Sequence, residues 1–208
     1  KNATWYKEGK KDSEILAKKL GFKKVSEAKL AVAKKIKEFV FSGGFLFAMC
    51  SATDSYDIAL ASEGIDICRE MFDGDPIDND IDNKLDFSKT LAFKNFSLVR
   101  NPNIYEFSSI DATRERKINP KVDFFTLFDF SAKWDPIPTM LCQNHMQVIA
   151  GFMGQTTSFK NEFIKSDVLI MGETKAKNEA RYIHGKLGNG TWTFYGGHDP
   201  EDYQHRVG

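Results

Sequence analysis

The spacing of apolar residues along the first half of the chain predicts two helices followed by a buried strand. Apolar positions recur at helical spacing within residues 13–20 and 28–40. The run Phe45–Met49 is short, apolar and aromatic, as expected of a buried strand. A third helical pattern covers residues 57–72, and Phe-rich runs within residues 90–130 predict short strands or strand-like insertions. This mixture of helices and strands favours an α/β fold.

The last third of the chain predicts strands, two of them joined by a tight turn. Residues 167–171 form an apolar run that predicts another buried strand. Residues 180–186 and 191–195 flank the sequence Gly188-Asn189-Gly190, which is a strong signal for a β-hairpin. His184 lies on the first of those two strands, where we expect it to be structural.

A cysteine stands where the strand Phe45–Met49 stops. Small residues flank Cys50 on both sides, Ala48 two before and Ala52 two after, and a polar cluster follows before the helical pattern begins. A strand, a sharp turn that carries a nucleophile and a helix together form a nucleophile elbow. We therefore expect a strained or sparsely populated backbone at Cys50 and close packing around Ala48 and Ala52. The N-terminus of the helix favours a thiolate over a thiol. The alternative is a buried structural cysteine, since free cysteine is among the most buried residue types.

A second motif presents a histidine near the other end of the chain. The apolar and β-branched run that begins at Trp192 ends in two glycines and His198, followed closely by Asp199 and Glu201. A cysteine nucleophile needs a neighbouring base, and the base needs a carboxylate that orients it. In a parallel sheet, neighbouring strands end at the same edge, so the two motifs can meet there. Alternatively, His198 is a loop histidine that caps a turn.

With these two motifs the chain resembles the class I glutamine amidotransferase-like superfamily, which also includes the ThuA-like proteins. In that superfamily a nucleophile elbow follows a buried strand, and a much later strand ends in His-Pro-Glu. The resemblance covers residues 41–62 and 190–203, and the Gly-Gly-His-Asp run is similar to the ThuA-like branch. Bacterial proteins of this appearance are also named asparagine synthetase B, but the sequence contains no recognisable nucleotide-binding motif of a synthetase.

The resemblance implies a catalytic triad. Cys50 matches the nucleophile and His198 matches the base, while Glu201 follows a proline like the acid of the family. The spacing between His198 and Glu201 is one residue longer than usual, which leaves Asp199 and Glu201 as alternative third members. The elbow carries Ala48 and Ala52 where the family has glycines. The implied chemistry requires no metal and no organic cofactor.

Three further residues are candidates for the surrounding pocket. Backbone N–H groups after the nucleophile, beginning with that of Ser51, would contribute to an oxyanion hole. Glu173 follows the strand predicted at 167–171 and would lie near the same sheet edge. His145 stands in a polar cluster after a short apolar run, before a helical stretch expected to continue through Met153. It is either a pocket residue or an exposed residue at a helix start.

Composition narrows the classes of partner and site. The 208 residues include 29 Lys and Arg and 29 Asp and Glu, and the net charge of zero gives no electrostatic case for nucleic acid or an anionic membrane. No apolar run approaches the roughly 20 residues of a membrane span. Three cysteines are too few for a disulfide framework or a zinc site, and the unpaired thiol favours a cytoplasmic location without excluding export. The alternating aspartates of residues 73–82 do not fit the EF-hand spacing, so we expect a solvated acidic loop.

These features predict one amidotransferase-like domain over residues 1–208. We expect a flavodoxin-like, largely parallel sheet flanked by helices, with an insertion between the nucleophile and histidine motifs. Only 49 residues precede Cys50, so we expect a domain incomplete at its N-terminus, with a missing segment or a partner subunit involved. The expected function is hydrolysis of a glutamine-like amide or a related C–N bond. The alternative is a non-catalytic ThuA-like module that binds a carbohydrate or a protein and retains the elbow.

Overall fold

The computed structural model describes residues 3–101, 103–104, 106–112, 124–127, 148–150, 158–174 and 178–197, with the backbone alone at 124–127 and 148–150. The helices are α1 Thr4–Lys19, α2 Val25–Phe41, α3 Asp54–Ala61, α4 Glu70–Asp73 and α5 Ile81–Lys84. The strands are β1 Phe45–Met49, β2 Phe124–Leu127, β3 Val148–Ala150, β4 Phe159–Lys160, β5 Leu169–Thr174, β6 Glu179–Leu187 and β7 Gly190–Tyr195.

The predicted α/β class is confirmed, because one sheet has helices packed against it. The strand order is β1-β7-β6-β5-β2-β3, and β4 pairs with β6 beside that path. The prediction of a largely parallel sheet is wrong for the described strands, since β1–β7 is the one parallel pair and the other five pairs are antiparallel. Short connections join β5 to β6 and β6 to β7, and a parallel pair would need a crossover of a dozen or more residues. A flavodoxin-like architecture is therefore not confirmed.

The predicted hairpin is confirmed, with β6 and β7 closing at Leu187 opposite Gly190. Gly188 has φ 58°, the left-handed backbone that the two-residue turn requires. A Cβ atom on Gly190 would collide with the carbonyl oxygens of Val40 and Gly44. The absence of a side chain there lets β7 approach the end of α2 and the start of β1, so the hairpin packs directly beside β1.

One face of the sheet forms the main core. Trp192, Phe194 and Ile183 are fully buried on this face, together with Ala48 of β1. Helices α2 and α3 cover the face, and the hydroxyl of Tyr56 in α3 donates to the Ala33 carbonyl of α2 at 3.0 Å. Strand β1 therefore has a packed support on one side, as a strand that positions a functional residue needs.

Two helical predictions need correction. The helix expected at 57–72 is α3, which begins at Asp54 and ends at Ala61, and Gly64 with φ 82° lies just beyond it. The apolar spacing continues past Ala61 because Ile65 and Ile67 still pack against the core from an irregular segment. The helical stretch expected after His145 contains the strand β3. Of the helices in the described ranges, none has the length and apolar character needed to cross a bilayer.

Candidate functional site

Cys50 occupies the turn between β1 and α3. It directly follows β1 and opens a 3₁₀ turn, Cys50–Ala52, and α3 begins two residues later at Asp54. Its φ of 55° lies in the left-handed region, which is uncommon for a residue other than glycine. The strand, turn and helix expected of a nucleophile elbow are therefore present, and the cysteine has the sparsely populated backbone expected there.

Thr53 holds this turn closed. Its side chain is fully buried, and its hydroxyl donates a hydrogen bond to the Cys50 carbonyl oxygen at 2.6 Å, while its backbone N–H donates to the same oxygen at 3.2 Å. Ala48 is buried, as the close packing of an elbow predicts. The same expectation is wrong for Ala52, which is exposed because it lies on the outer side of the 3₁₀ turn.

The parallel pairing of β1 with β7 brings the two motif strands to a common edge. Met49, the residue before Cys50, is in register with Tyr195 at the end of β7. The next residue, Gly196, continues across the sheet by donating its N–H to the Arg181 carbonyl at 2.7 Å. The description of this strand ends at Gly197, so His198, Asp199 and Glu201 lie outside the described residues, as does His145.

Two other predicted site residues fall within the described ranges. Ser51 lies in the first positions of the 3₁₀ turn, where backbone N–H groups have no acceptor within the turn. Glu173 is on β5, at the same sheet edge as the end of β7, but β5 is three strand spacings from β1. At about 4.8 Å per spacing this is about 14 Å. Glu173 is therefore too far from Cys50 to contact the thiol. It could contact only a ligand long enough to extend from Cys50 across three strands.

Two buried acidic side chains lie in α3, directly after the turn at Cys50, and the sequence did not predict their burial. Asp57 of α3 accepts the backbone N–H groups of Leu91, Ala92 and Phe93 at 2.7, 2.7 and 2.9 Å. Burial raises the pKa of the Asp57 carboxyl to about 6, against the opposing effect of those three donors. Asp54, also fully buried, is 3.4 Å from the Ser108 hydroxyl. The sequence placed Asp54 in the polar cluster after Cys50 and Asp57 at the start of a helical pattern, and neither position indicated burial.

The sheet face opposite the main core carries aromatic rings near the elbow. The Tyr195 ring lies 4.9 Å from the Tyr182 ring and 6.3 Å from the Phe47 ring, centroid to centroid. Further along the same face His184 is buried, with Nδ1 3.0 Å from the Thr193 hydroxyl and Nε2 without a hydrogen-bond partner. Burial lowers the pKa of His184, so the neutral imidazole is favoured and its expected structural role is consistent with this environment.

Cys68 gives an internal comparison for Cys50. It lies in the segment between α3 and α4, and burial together with Asp73 raises the pKa of its thiol to about 11. A thiol with such a pKa is almost entirely protonated at neutral pH and is a poor nucleophile. Cys50 is thus the better candidate of the two described cysteines.

The one acidic cluster among the described residues with the geometry of a metal site surrounds a lysine. Oxygens of Asp66, Asp73 and Asp75 lie within 4.8 Å of one another. The ammonium of Lys24 pairs with all three, at 2.7 Å from Asp66 and 3.8 Å from Asp73, and also with Asp75. The hydrogen bonds that the Lys24 ammonium donates to Asp66 and Asp75 raise the pKa of Lys24, so the lysine is charged at neutral pH. The ammonium supplies the positive charge that a cation would otherwise bring.

Comparison with known proteins does not assign this chain to a family. No family model matches the chain. Curated proteins and solved structures likewise give no significant match.

Proposed function

We propose that the protein is a cysteine-dependent hydrolase that cleaves a glutamine-like amide or a related C–N bond. The observation that carries the proposal is the position of Cys50, in a left-handed turn at the end of β1, beside the strand that leads to His198. Met49 and Tyr195 are in register, and only Gly196 and Gly197 separate Tyr195 from the histidine. Two glycines allow close backbone approach at this edge.

In the proposed reaction the Cys50 sulfur attacks the amide carbonyl carbon as a thiolate and forms a C–S bond. The N–H of Ser51 donates to the oxygen that becomes negative in the tetrahedral intermediate. His198 gives its proton to the leaving amine as the C–N bond breaks, and a water molecule then hydrolyses the thioester. Glu201 or Asp199 orients the imidazole. This assignment follows the resemblance to the amidotransferase-like superfamily and its ThuA-like branch.

We also propose that part of the observed sheet corresponds to the sheet of the amidotransferase-like superfamily. In this proposal β1 and β7 are the nucleophile and histidine strands of a flavodoxin-like sheet, and the antiparallel strands belong to the insertion between the two motifs. The parallel direction of β1 and β7 and the cover of their core face by α2 and α3 support this correspondence.

Ammonia release tests the proposed function. Wild-type protein is incubated with glutamine, asparagine and simple primary amides, and Cys50→Ser is expected to abolish release. Cys68→Ser serves as the matched control, because its thiol has a raised pKa, and it should retain activity. His198→Ala should lower the rate by at least about 100-fold, in the range of general acid–base catalysis. Hydrolysis that persists in Cys50→Ser would contradict the proposal.

A second candidate, a non-catalytic binding module, is favoured by aromatic rings near the elbow. The rings of Phe47 and Tyr195, which are partly exposed near the same edge, suit stacking against the C–H face of a sugar. Binding of immobilised oligosaccharides by both wild type and Cys50→Ser, with no amide hydrolysis by either, would support this candidate.

A further inference from the structure

A groove of about 690 Å³ lies between α1, the start of α2 and the segment from Cys68 to Asp73. It is on the helical side of the molecule and shares no lining residue with the elbow at Cys50. Along α1 it runs from Trp5 to Lys18, which is about 20 Å at 1.5 Å per residue. The groove is therefore long and open, and it does not belong to the proposed active site.

The groove combines an apolar end with a floor of small residues. Trp5, which is 74% exposed, and Tyr6 form an edge-to-face pair with ring centroids 6.0 Å apart. Gly9, Ser13 and Ala17 continue the α1 side of the lining, and a Cβ atom on Gly9 would meet no atom within 4 Å. A backbone can approach such a floor closely, while the exposed rings offer a contact for one apolar side chain.

Free positive charges surround this floor. Five lysines line the groove against two acids, Glu14 and Asp73. Lys10 pairs with Glu14 and Lys24 with the aspartate cluster, whereas Lys18, Lys23 and Lys29 make no ion pair within the described ranges. Residues 3–41 contain eleven lysines and five acids, a net charge of +6 (11 − 5), although the whole chain is neutral. The groove is thus the concave part of a basic helical surface.

From this charge, shape and length we propose that the groove docks an acidic, extended peptide segment of a partner protein, with one large apolar side chain against Trp5 and Tyr6. A strand-like peptide rises about 3.3 Å per residue, so 20 Å accommodates about six residues. Carboxylates of the peptide pair with Lys18, Lys23 and Lys29. A flat anionic bilayer fits less well, because the lysines and the small-residue floor line a concavity.

Fluorescence anisotropy tests the proposal with a dye-labelled peptide of five glutamates and one terminal leucine. The peptide should bind wild type, and a peptide with glutamines in place of the glutamates should bind at least about tenfold more weakly. K18E/K23E/K29E should weaken binding of the acidic peptide by about tenfold or more. Gly9→Trp, which fills the groove from an open position, should also abolish binding.

The matched control is K7E/K11E/K19E, which makes the same change of net charge with lysines of α1 that do not line the groove. It should bind within about twofold of wild type. Circular dichroism verifies that each variant retains its helices. Equal weakening by the two triple variants would overturn the proposal, because only general charge would then matter. Binding to phosphatidylserine vesicles without binding to the peptide would overturn it in favour of a membrane surface.

Discussion

Replacing Asp57 with alanine removes the acceptor of three buried backbone N–H groups, those of Leu91, Ala92 and Phe93. An unpaired buried donor costs about 1–3 kcal/mol, so three of them cost about 3–9 kcal/mol. The raised pKa, about 6 against 3.8, means that ionising this carboxyl at neutral pH costs the folded protein about 3 kcal/mol more than the unfolded chain, and the alanine variant is relieved of this cost. The loss after this offset is about 0–6 kcal/mol, and we expect about 3 kcal/mol at pH 7, the middle of that range.

The pH dependence of the free energy of unfolding provides a second test of the role of Asp57. Because the pKa of Asp57 is raised on folding, its contribution to stability is fully present below pH 3.8 and is lost as the pH rises through about 6. Wild type should therefore gain up to about 3 kcal/mol relative to Asp57→Asn between pH 7 and pH 4. The asparagine variant does not titrate, so it isolates this one group.

Urea unfolding followed by tryptophan fluorescence measures both the loss of stability at pH 7 and its pH dependence. Asp86→Ala is the matched control, because Asp86 also accepts a backbone N–H, that of Ser88 at 3.0 Å, but is solvent-accessible. We expect it to cost less than about 1 kcal/mol, since water can replace the lost acceptor. A loss below 1 kcal/mol for Asp57→Ala at pH 7, with no difference in pH profile between wild type and Asp57→Asn, would refute the reasoning.

Three further predictions concern other parts of the molecule. Gly190→Ala should lower the free energy of unfolding by about 2–3 kcal/mol through the collision with Val40 and Gly44, whereas Gly9→Ala should raise it by about 0.5–1 kcal/mol; equal effects in urea melts would contradict the packing argument. Iodoacetamide should alkylate Cys50 faster than Cys68 near neutral pH, because the raised pKa of Cys68 leaves little thiolate, and peptide mapping of the labelled protein would expose the opposite order. Folding lowers the pKa of His184, so its contribution to stability is present above the unfolded pKa of about 6.5 and falls as the pH drops. His184→Gln in an Asp57→Asn background should therefore flatten the dependence of unfolding free energy on pH between pH 7 and 5. An unchanged slope would exclude the histidine as the source of that dependence.

The features that the sequence predicted well are local ones. Strand β1 coincides with the run Phe45–Met49, because a short aromatic run between two glycines and a polar cluster has few alternatives. The β6–β7 hairpin also agrees, since the turn at Gly188 depends on adjacent residues. The sparsely populated backbone expected of Cys50 is also present, as its φ of 55°, because the strand, small residues and helix that require it are adjacent in sequence. In each case the determining residues lie within one or two turns of chain.

The features that it missed depend on residues far apart in the chain. The antiparallel direction of β5, β6 and β7 is the exception, because it follows from short connections, but the resemblance to a family with a parallel sheet outweighed them. Asp57 was treated as the start of a helix, because the N–H groups that it binds lie 34 to 36 residues later. The lysine within the aspartate cluster is equally distant, since 42 residues separate Lys24 from Asp66. The exposure of Ala52 depends on how the turn is rotated, which residue sizes do not specify.

The pairing of β1 with β7 has a consequence for synthesis on the ribosome. Phe45 pairs with Thr191, which is 146 positions later (191 − 45). At about 5–20 residues per second, the ribosome takes roughly 7–30 s to make that interval. During this time β1, an aromatic strand, has no pairing partner in the described sheet. Its unpaired edge can aggregate or bind a chaperone. Strand β7, which supports β1, is made only after this interval, so nascent chains that stop before it lack an assembled elbow.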